Sequence, residues 1–236
     1  MFGTERTMGL ARLSIRQLLG DSVVNKPGGP HPVSANNPCP FLRALVSMGK
    51  LSDDREPLSE VATVVTATAR GGEGRPELPY KAVFAIASVA NGFGPLSLIN
   101  ALWNGLQLNA LRGGPLDKKG VGSGILDARG VIDAKEVSRL RSFAKRKPND
   151  DGSSELGLGW SELRAYMDAN FARAAGRRRR IDRTLMIGEW PVLLQVMGKE
   201  GSDGRYLRLQ DVVELFKNRR FPERMLARPP PGKGDA

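Results

Sequence analysis

The chain has 236 residues, with 36 lysines and arginines against 25 acidic residues and a formal net charge of +11. Its length suits one sizeable core, and 40% hydrophobic with 26% charged residues reads as globular. One cysteine excludes an intrachain disulfide, and one histidine excludes Cys/His zinc sets and a haem with separate proximal and distal histidines. A Ser-His-Asp triad has only His31 to draw on, and no nucleophile elbow accompanies it.

Met1 to Leu19 mixes Glu5, Arg6, Arg12 and Arg16 among apolar residues, which is neither a signal peptide nor a membrane span. The expected location is cytoplasmic if the sequence is full length and secreted if a leader has been removed. Cys39 stands between Pro38 and Pro40, directly before an apolar helical pattern. Proline is favoured at the first helical position, so the thiol is placed at a helix start. Backbone N–H groups and the helix dipole favour a thiolate there, and a thiolate binds metal or haem iron. The readings set beside it are a buried inert thiol and a redox-sensing thiol.

Leu42, Leu45, Val46 and Met48 define that helix, with Gly49 as its stop. Leu58, Val61, Ala62 and Val65 define a second, followed by the loop Gly71 to Pro76. Residues 80–89 are apolar almost all round and predict a buried helix. Asn91-Gly92 and Gly94-Pro95 break the pattern. The stripe Ile99, Leu102, Trp103, Leu106 and Ala110 then predicts a helix packed on the core, with a cofactor wall as the alternative use of its face, ending at Gly113-Gly114-Pro115. Residues 117–124 are glycine-rich with lysines, but no strand precedes them and no Gly-Lys-Ser/Thr follows, so a P-loop is discarded.

Asp133 is placed as a helix cap, with Glu136 three residues on, before Val137, Leu140 and Phe143. Residues 145–154 read as a polar loop. Trp160, Leu163, Tyr166, Met167 and Phe171 mark another helix. Ile187 to Met197 is an apolar helix interrupted by Pro191, and Leu209, Val212, Val213 and Phe216 form the last clear stripe. Pro222 closes it. The fold expected is all-α: a single-domain bundle of about seven or eight helices over residues 1–227, with a disordered tail at 228–236.

The excess charge concentrates in Arg177 to Arg180, with Arg173 and Arg183 nearby. A solvated face or charged loop is the plain reading; the alternative is a basic module that binds an acidic partner through Arg177–Arg183. Aromatic residues are 6% of the chain and none interleave with these arginines, so nucleic acid is not an expected partner. Two segments imitate calcium loops. Asp127 to Asp133 with Glu136 would need Ile125 and Arg129 as ligands, and Lys199 to Gly204 starts on a lysine, so both read as tight turns.

The stretch His31-Pro32 … Pro38-Cys39-Pro40-Phe-Leu-Arg-Ala-Leu45 … Gly49-Lys-Leu51 resembles the haem-thiolate peroxidases, the family of chloroperoxidase and the unspecific peroxygenases. Leu58-Ser-Glu-Val61 looks like that family's next helix, and Gly204 to Phe216 with Arg220-Phe-Pro222 looks like its C-terminal pattern. The resemblance spans residues 31–225, with its strong anchors at the two ends. It implies a pocket for haem b with Cys39 as axial iron ligand and Pro38, Pro40, Phe41 and Leu42 about it, between the Cys39 helix and helices near 80–111 and 183–197. It implies hydrogen peroxide and a small organic substrate or halide as reactants. It also implies a distal acid–base. Glu189, alone in the apolar run Met186 to Leu194, is the candidate for that role, with burial raising its pKa and Arg183 assisting. The family's mid-chain Glu-His-Asp or Glu-Gly-Asp run, which helps hold Mg2+ against a propionate, corresponds here to Ile125-Leu126-Asp127. Only the aspartate survives, so the cation is absent or supplied differently by Asp127 and Asp133. This departure leaves open a non-catalytic member that binds haem or another apolar ligand.

Overall fold

The computed structural model describes residues 31–70, 78–118, 122–149 and 152–226. The predicted tail at 228–236 and the loop at 71–76 lie outside the described residues, as do 119–121 within the glycine-rich segment.

Helix α1 (Pro40–Ser47) starts with Cys39 as its N-cap and Pro40 in its first turn. It closes where Gly49 adopts a φ of 68°. The Lys50 and Gly49 N–H groups then donate to the carbonyls of Leu45 and Val46, the crossed pair that satisfies a helix C-terminus. A side chain on Gly49 would meet His31 Nε2 at 2.7 Å. After β1 (Arg55–Glu56) comes α2 (Leu58–Thr68), then α3 (Tyr80–Val89) and α4 (Pro95–Asn104). Strand β2 (Leu106–Gln107) pairs antiparallel with β1, and a 3-10 turn (Leu108–Ala110) follows. Helix α5 (Ala134–Phe143) is capped by Asp133, which accepts the Lys135 N–H at 2.8 Å.

The second half is α6 (Trp160–Arg173), α7 (Asp182–Met197), α8 (Leu209–Asn218) and the short α9 (Glu223–Leu226). Between them lies a sheet of β3 (Lys145–Pro148), β4 (Ser154–Gly159) and β5 (Tyr206–Arg208), antiparallel in the order β3-β4-β5. One hydrophobic cluster runs from Ala44 in α1 to Met225 in α9 and includes Leu140, Leu163, Tyr166, Trp190 and Phe216. No helix among the described residues is long and apolar enough to cross a membrane.

The expectation of an all-α bundle is corrected here, because two antiparallel sheets of two and three strands interleave with the helices. Residues 145–154, expected to be a polar loop, supply β3 and the start of β4. Lys145 to Lys147 have no apolar alternation to announce a strand; they pair with Gly157, Leu156 and Glu155 of β4, which in turn pairs Gly157 with Arg208 and Leu158 with Leu207 of β5. Gly157 leaves the space that the Tyr206 ring fills: an added Cβ would stand 2.4 Å from that ring. The stripe from Ile99 to Ala110 is also not one helix, since Gly105, at a φ of 82°, ends α4 before β2. The expected burial of residues 80–89 and of the stripe from Ile99 holds only at a few positions, among them Ala87, Ala101 and Leu106. Ile86, Phe93, Leu96, Ile99, Leu102 and Trp103 are all exposed. Helix α7 begins at Asp182, five residues earlier than Ile187, and runs through Pro191.

Candidate functional site around Cys39

The site assembles from three stretches of chain. The first is the loop that delivers Cys39. Arg43, 2% exposed, reaches back from α1 to donate to the carbonyls of Ser34 at 2.7 Å and Asn37 at 3.0 Å, and to Gly130 at 3.2 Å. Buried Asn37 accepts the Cys39 N–H on Oδ1 at 3.3 Å, and the Ser34 N–H donates to Asp53 at 2.6 Å. The loop is therefore held at both ends by bonds from a buried guanidinium and a buried amide.

The second stretch is 111–118. Arg112 donates its N–H to Asn36 O at 2.8 Å, its Nε to Ala35 O at 3.1 Å and its Nη2 to Asp127 O at 3.1 Å. Gly114 lies against the Ala90 carbonyl at the end of α3. The Asp117 carboxylate accepts the Gly113 N–H, and the Asp117 carbonyl accepts Arg179 Nη2 at 2.6 Å. This segment thus touches the α3 terminus, the Cys39 loop and the approach to α7.

The third stretch is α7. Asp182, fully buried at the start of the helix, accepts the Arg179 N–H, Nε and Nη2. Trp190 faces the core at 1% exposure, stacked near Phe216 and edge-on to Tyr166. Its neighbour Glu189 is turned to the Lys118 ammonium, and the two form an ion pair with both side chains largely covered.

Electrostatics tie these stretches to the sulfur. Cys39 is half-buried, and its burial is the largest influence on the thiol, pushing its pKa up. The Leu42 and Phe41 backbone N–H groups pull it down, the Glu189 charge pushes it up and the Lys118 charge pulls it down. Cys39 makes no N-cap hydrogen bond through its side chain. The two amides act as the helix-start donors expected of a staged thiol, yet burial outweighs them. Asn37 Nδ2, buried in the same loop, has no hydrogen-bond partner. A sulfur flanked by helix-start amides, with an orphaned donor in the same loop, has the surroundings of a side chain that could give a thiolate to haem iron.

The expected site residues separate into two groups. Glu189 is near enough for its charge to act on the Cys39 thiol, and the Phe41 and Leu42 amides act on the same sulfur with the opposite sign. Pro40 is buried at the helix start, Pro38 is half-buried, and the Phe41 ring packs on Phe221 at 4.8 Å. Arg183 does not join them. It pairs with Asp168 on α6, lies over the Phe171 ring at 5.2 Å, and lines a surface hollow with Trp160, Arg164, Met167 and Met186. The cation that stands beside Glu189 is Lys118, from the glycine-rich segment that lacks the features of a P-loop. No local signal marks it: its partner is 71 positions away.

The carboxylates considered for Mg2+ do not fit that ion. Asp127 accepts the Arg129 and Val131 N–H groups at 2.8 and 2.9 Å and Arg129 Nε at 3.1 Å. Asp133 is committed to the α5 cap. Glu136, the closing residue of the first calcium-loop imitation, is held by Arg139 and Arg173. Among the described residues no group of three or more His, Cys, Asp or Glu side chains could hold a metal ion. Both calcium-loop imitations are turns: Leu126 bridges to Ile132 across the first, and Lys199 bridges to Tyr206 across the second. The arginine run is partly tied into the molecule, for Arg178 lies over Phe171 at 4.1 Å and Arg179 binds Asp182 and Asp117. No protein-family model matches the chain, and no curated protein or solved structure matches it either.

Proposed function

We propose that this chain is a haem-thiolate oxidoreductase, a peroxidase or peroxygenase that uses hydrogen peroxide to oxidise or oxygenate a small organic substrate or a halide. The observation that carries the reading is the convergence of Cys39, Glu189 and Lys118, residues from three separate stretches, in one electrostatic neighbourhood. Cys39 Sγ would hold the iron of haem b, with the Leu42 and Phe41 amides favouring negative charge on the sulfur. When bound, haem with a thiolate ligand supplies the redox chemistry that cleaves the peroxide O–O bond. Glu189 moves the proton that this cleavage needs. Its carboxylate takes a proton from one peroxide oxygen and returns it to the other, which leaves as water. Lys118 is a positioning residue that fixes the carboxylate through the ion pair. Trp190 anchors that turn of α7 in the core.

A second reading is a haem-binding member without turnover. The observation favouring it is that the Glu189 carboxylate is already engaged by Lys118. The basic-module reading is weakened by the internal bonds of Arg178, Arg179 and Arg183.

The test is the absorbance spectrum of the purified chain, as isolated and after haem reconstitution. A Soret band, with a red-shifted band for the reduced CO complex that Cys39→Ala abolishes, is the expected result. Protein that stays colourless after reconstitution ends both haem readings. A thiolate spectrum without peroxide-dependent oxidation selects the second.

A further inference from the structure

Residues 82–111 contain no charged side chain, in a chain that is 26% charged. They form most of α3 and all of α4, and their large apolar residues point outward. Leu96 is 81% exposed and Trp103 85%, and Ile86, Phe93, Ile99 and Leu102 are also exposed. On α4, Leu96, Ile99 and Trp103 follow helical spacing with Leu102 beside them, whereas small Ala101 is the buried residue of the helix. Taking large side chains at about 150–250 Å² each, these six expose apolar surface on the order of 800 Å². That exceeds the roughly 300–600 Å² of the largest patch on an ordinary monomer and matches the roughly 800 Å² that each partner buries in a stable complex.

We infer that the α3–α4 hairpin is a homodimer interface, with a second copy of this chain as its occupant. The face has an interface core's composition, depleted in charge and rich in large apolar and aromatic side chains. Residues 82–111 offer no charge for an acidic or basic partner to recognise, and the one charged side chain of the hairpin is Lys81 in the first turn of α3. A helix lying in a lipid surface carries lysines or arginines along its polar edge; on α4 that edge is Asn100 and Asn104, hydrogen-bonded to each other at 2.7 Å. A two-fold arrangement brings two uncharged faces together and keeps the charge of +11 on each copy away from the contact.

The test is sedimentation velocity with light scattering on the full chain over a wide concentration range. The expected result is a species of twice the monomer mass, whose dissociation constant rises roughly 30-fold or more in Leu96→Glu and in Trp103→Glu. Both residues are solvent-facing in the monomer, so far-UV circular dichroism should be unchanged. A wild-type chain that stays monomeric overturns the proposal without any variant, and so does a dimer that survives both substitutions. Flotation of the wild-type monomer with phosphatidylcholine–phosphatidylglycerol vesicles, lost in Leu96→Glu, overturns it in favour of a lipid surface.

Discussion

Lys118 and Glu189 form an ion pair across 71 positions of sequence, and both charges act on the thiol of Cys39 with opposite sign. Removing either one should therefore move the titration of the sulfur in a defined direction. Glu189→Gln removes a negative charge, so the thiolate is favoured and the apparent pKa of Cys39 falls. Lys118→Met removes a positive charge, so that pKa rises. Iodoacetamide alkylation of haem-free protein as a function of pH reads both shifts on the chain's single cysteine. Shifts of the same sign, or none, would break the claim that the three residues share one site.

Glu189 and Arg183 lie six positions apart in the sequence, and their different surroundings predict different outcomes. Glu189→Gln should lower peroxide-dependent turnover by roughly 10²–10⁴-fold, the loss typical of a missing acid–base, while the Soret band persists. Arg183→Ala should leave turnover near wild type, because that guanidinium is engaged with Asp168 and Phe171. The Arg183–Asp168 pair is well exposed, at 40% and 47%, and its loss should cost less than about 1 kcal/mol of stability. Equal losses of activity in both variants would return Arg183 to the site.

These contrasts show what was legible in the residues alone. The positions of α1, α2, α5, α6 and α8 follow from apolar spacing and from caps such as Asp133, which are local properties. The Cys39 helix start follows from its flanking prolines in the same way. Other features depend on partners far along the chain. The β3 strand is charged and owes its pairing to β4, and Lys118 owes its place to Glu189 and to the bond that Arg179 makes with the neighbouring Asp117 carbonyl. The outward turn of α4 was hidden for a different reason. Hydrophobic spacing reports that a face avoids water, and an interface between chains satisfies that demand as well as a core does.

Arg43 is the residue on which the geometry of the Cys39 loop rests. Its guanidinium supplies hydrogen bonds to Ser34, Asn37 and Gly130 from a buried position. Arg43→Met keeps the length of the side chain and removes every one of those donors. The unfolding free energy should fall by roughly 2–4 kcal/mol, since buried carbonyls lose charged partners. Amide hydrogen exchange at Asn37 and Cys39 should accelerate more than exchange in α6. A uniform acceleration would mean that Arg43 supports the fold as a whole and has no special hold on the loop.

Glu162 makes acid stability a test of the sheet–helix junction. Burial would raise its pKa, but Lys147, Ser161, Lys145 and the Gly159 N–H together outweigh that and bring it down to about 2. The carboxylate is 3% exposed, with Lys147 Nζ at 3.1 Å, so the folded state binds its proton less readily than the unfolded chain does. The sign of the linkage follows. The contribution is fully present above the unfolded value of 4.5 and is lost as pH falls toward about 2. From a shift of this size the contribution at neutral pH is roughly 3 kcal/mol. Urea titrations should find Glu162→Gln less stable than wild type by up to that amount at pH 7. The gap should narrow steadily below pH 4.5 as the wild-type carboxylate gains its proton, and a gap that stays constant down to pH 2 would remove Glu162 as the source.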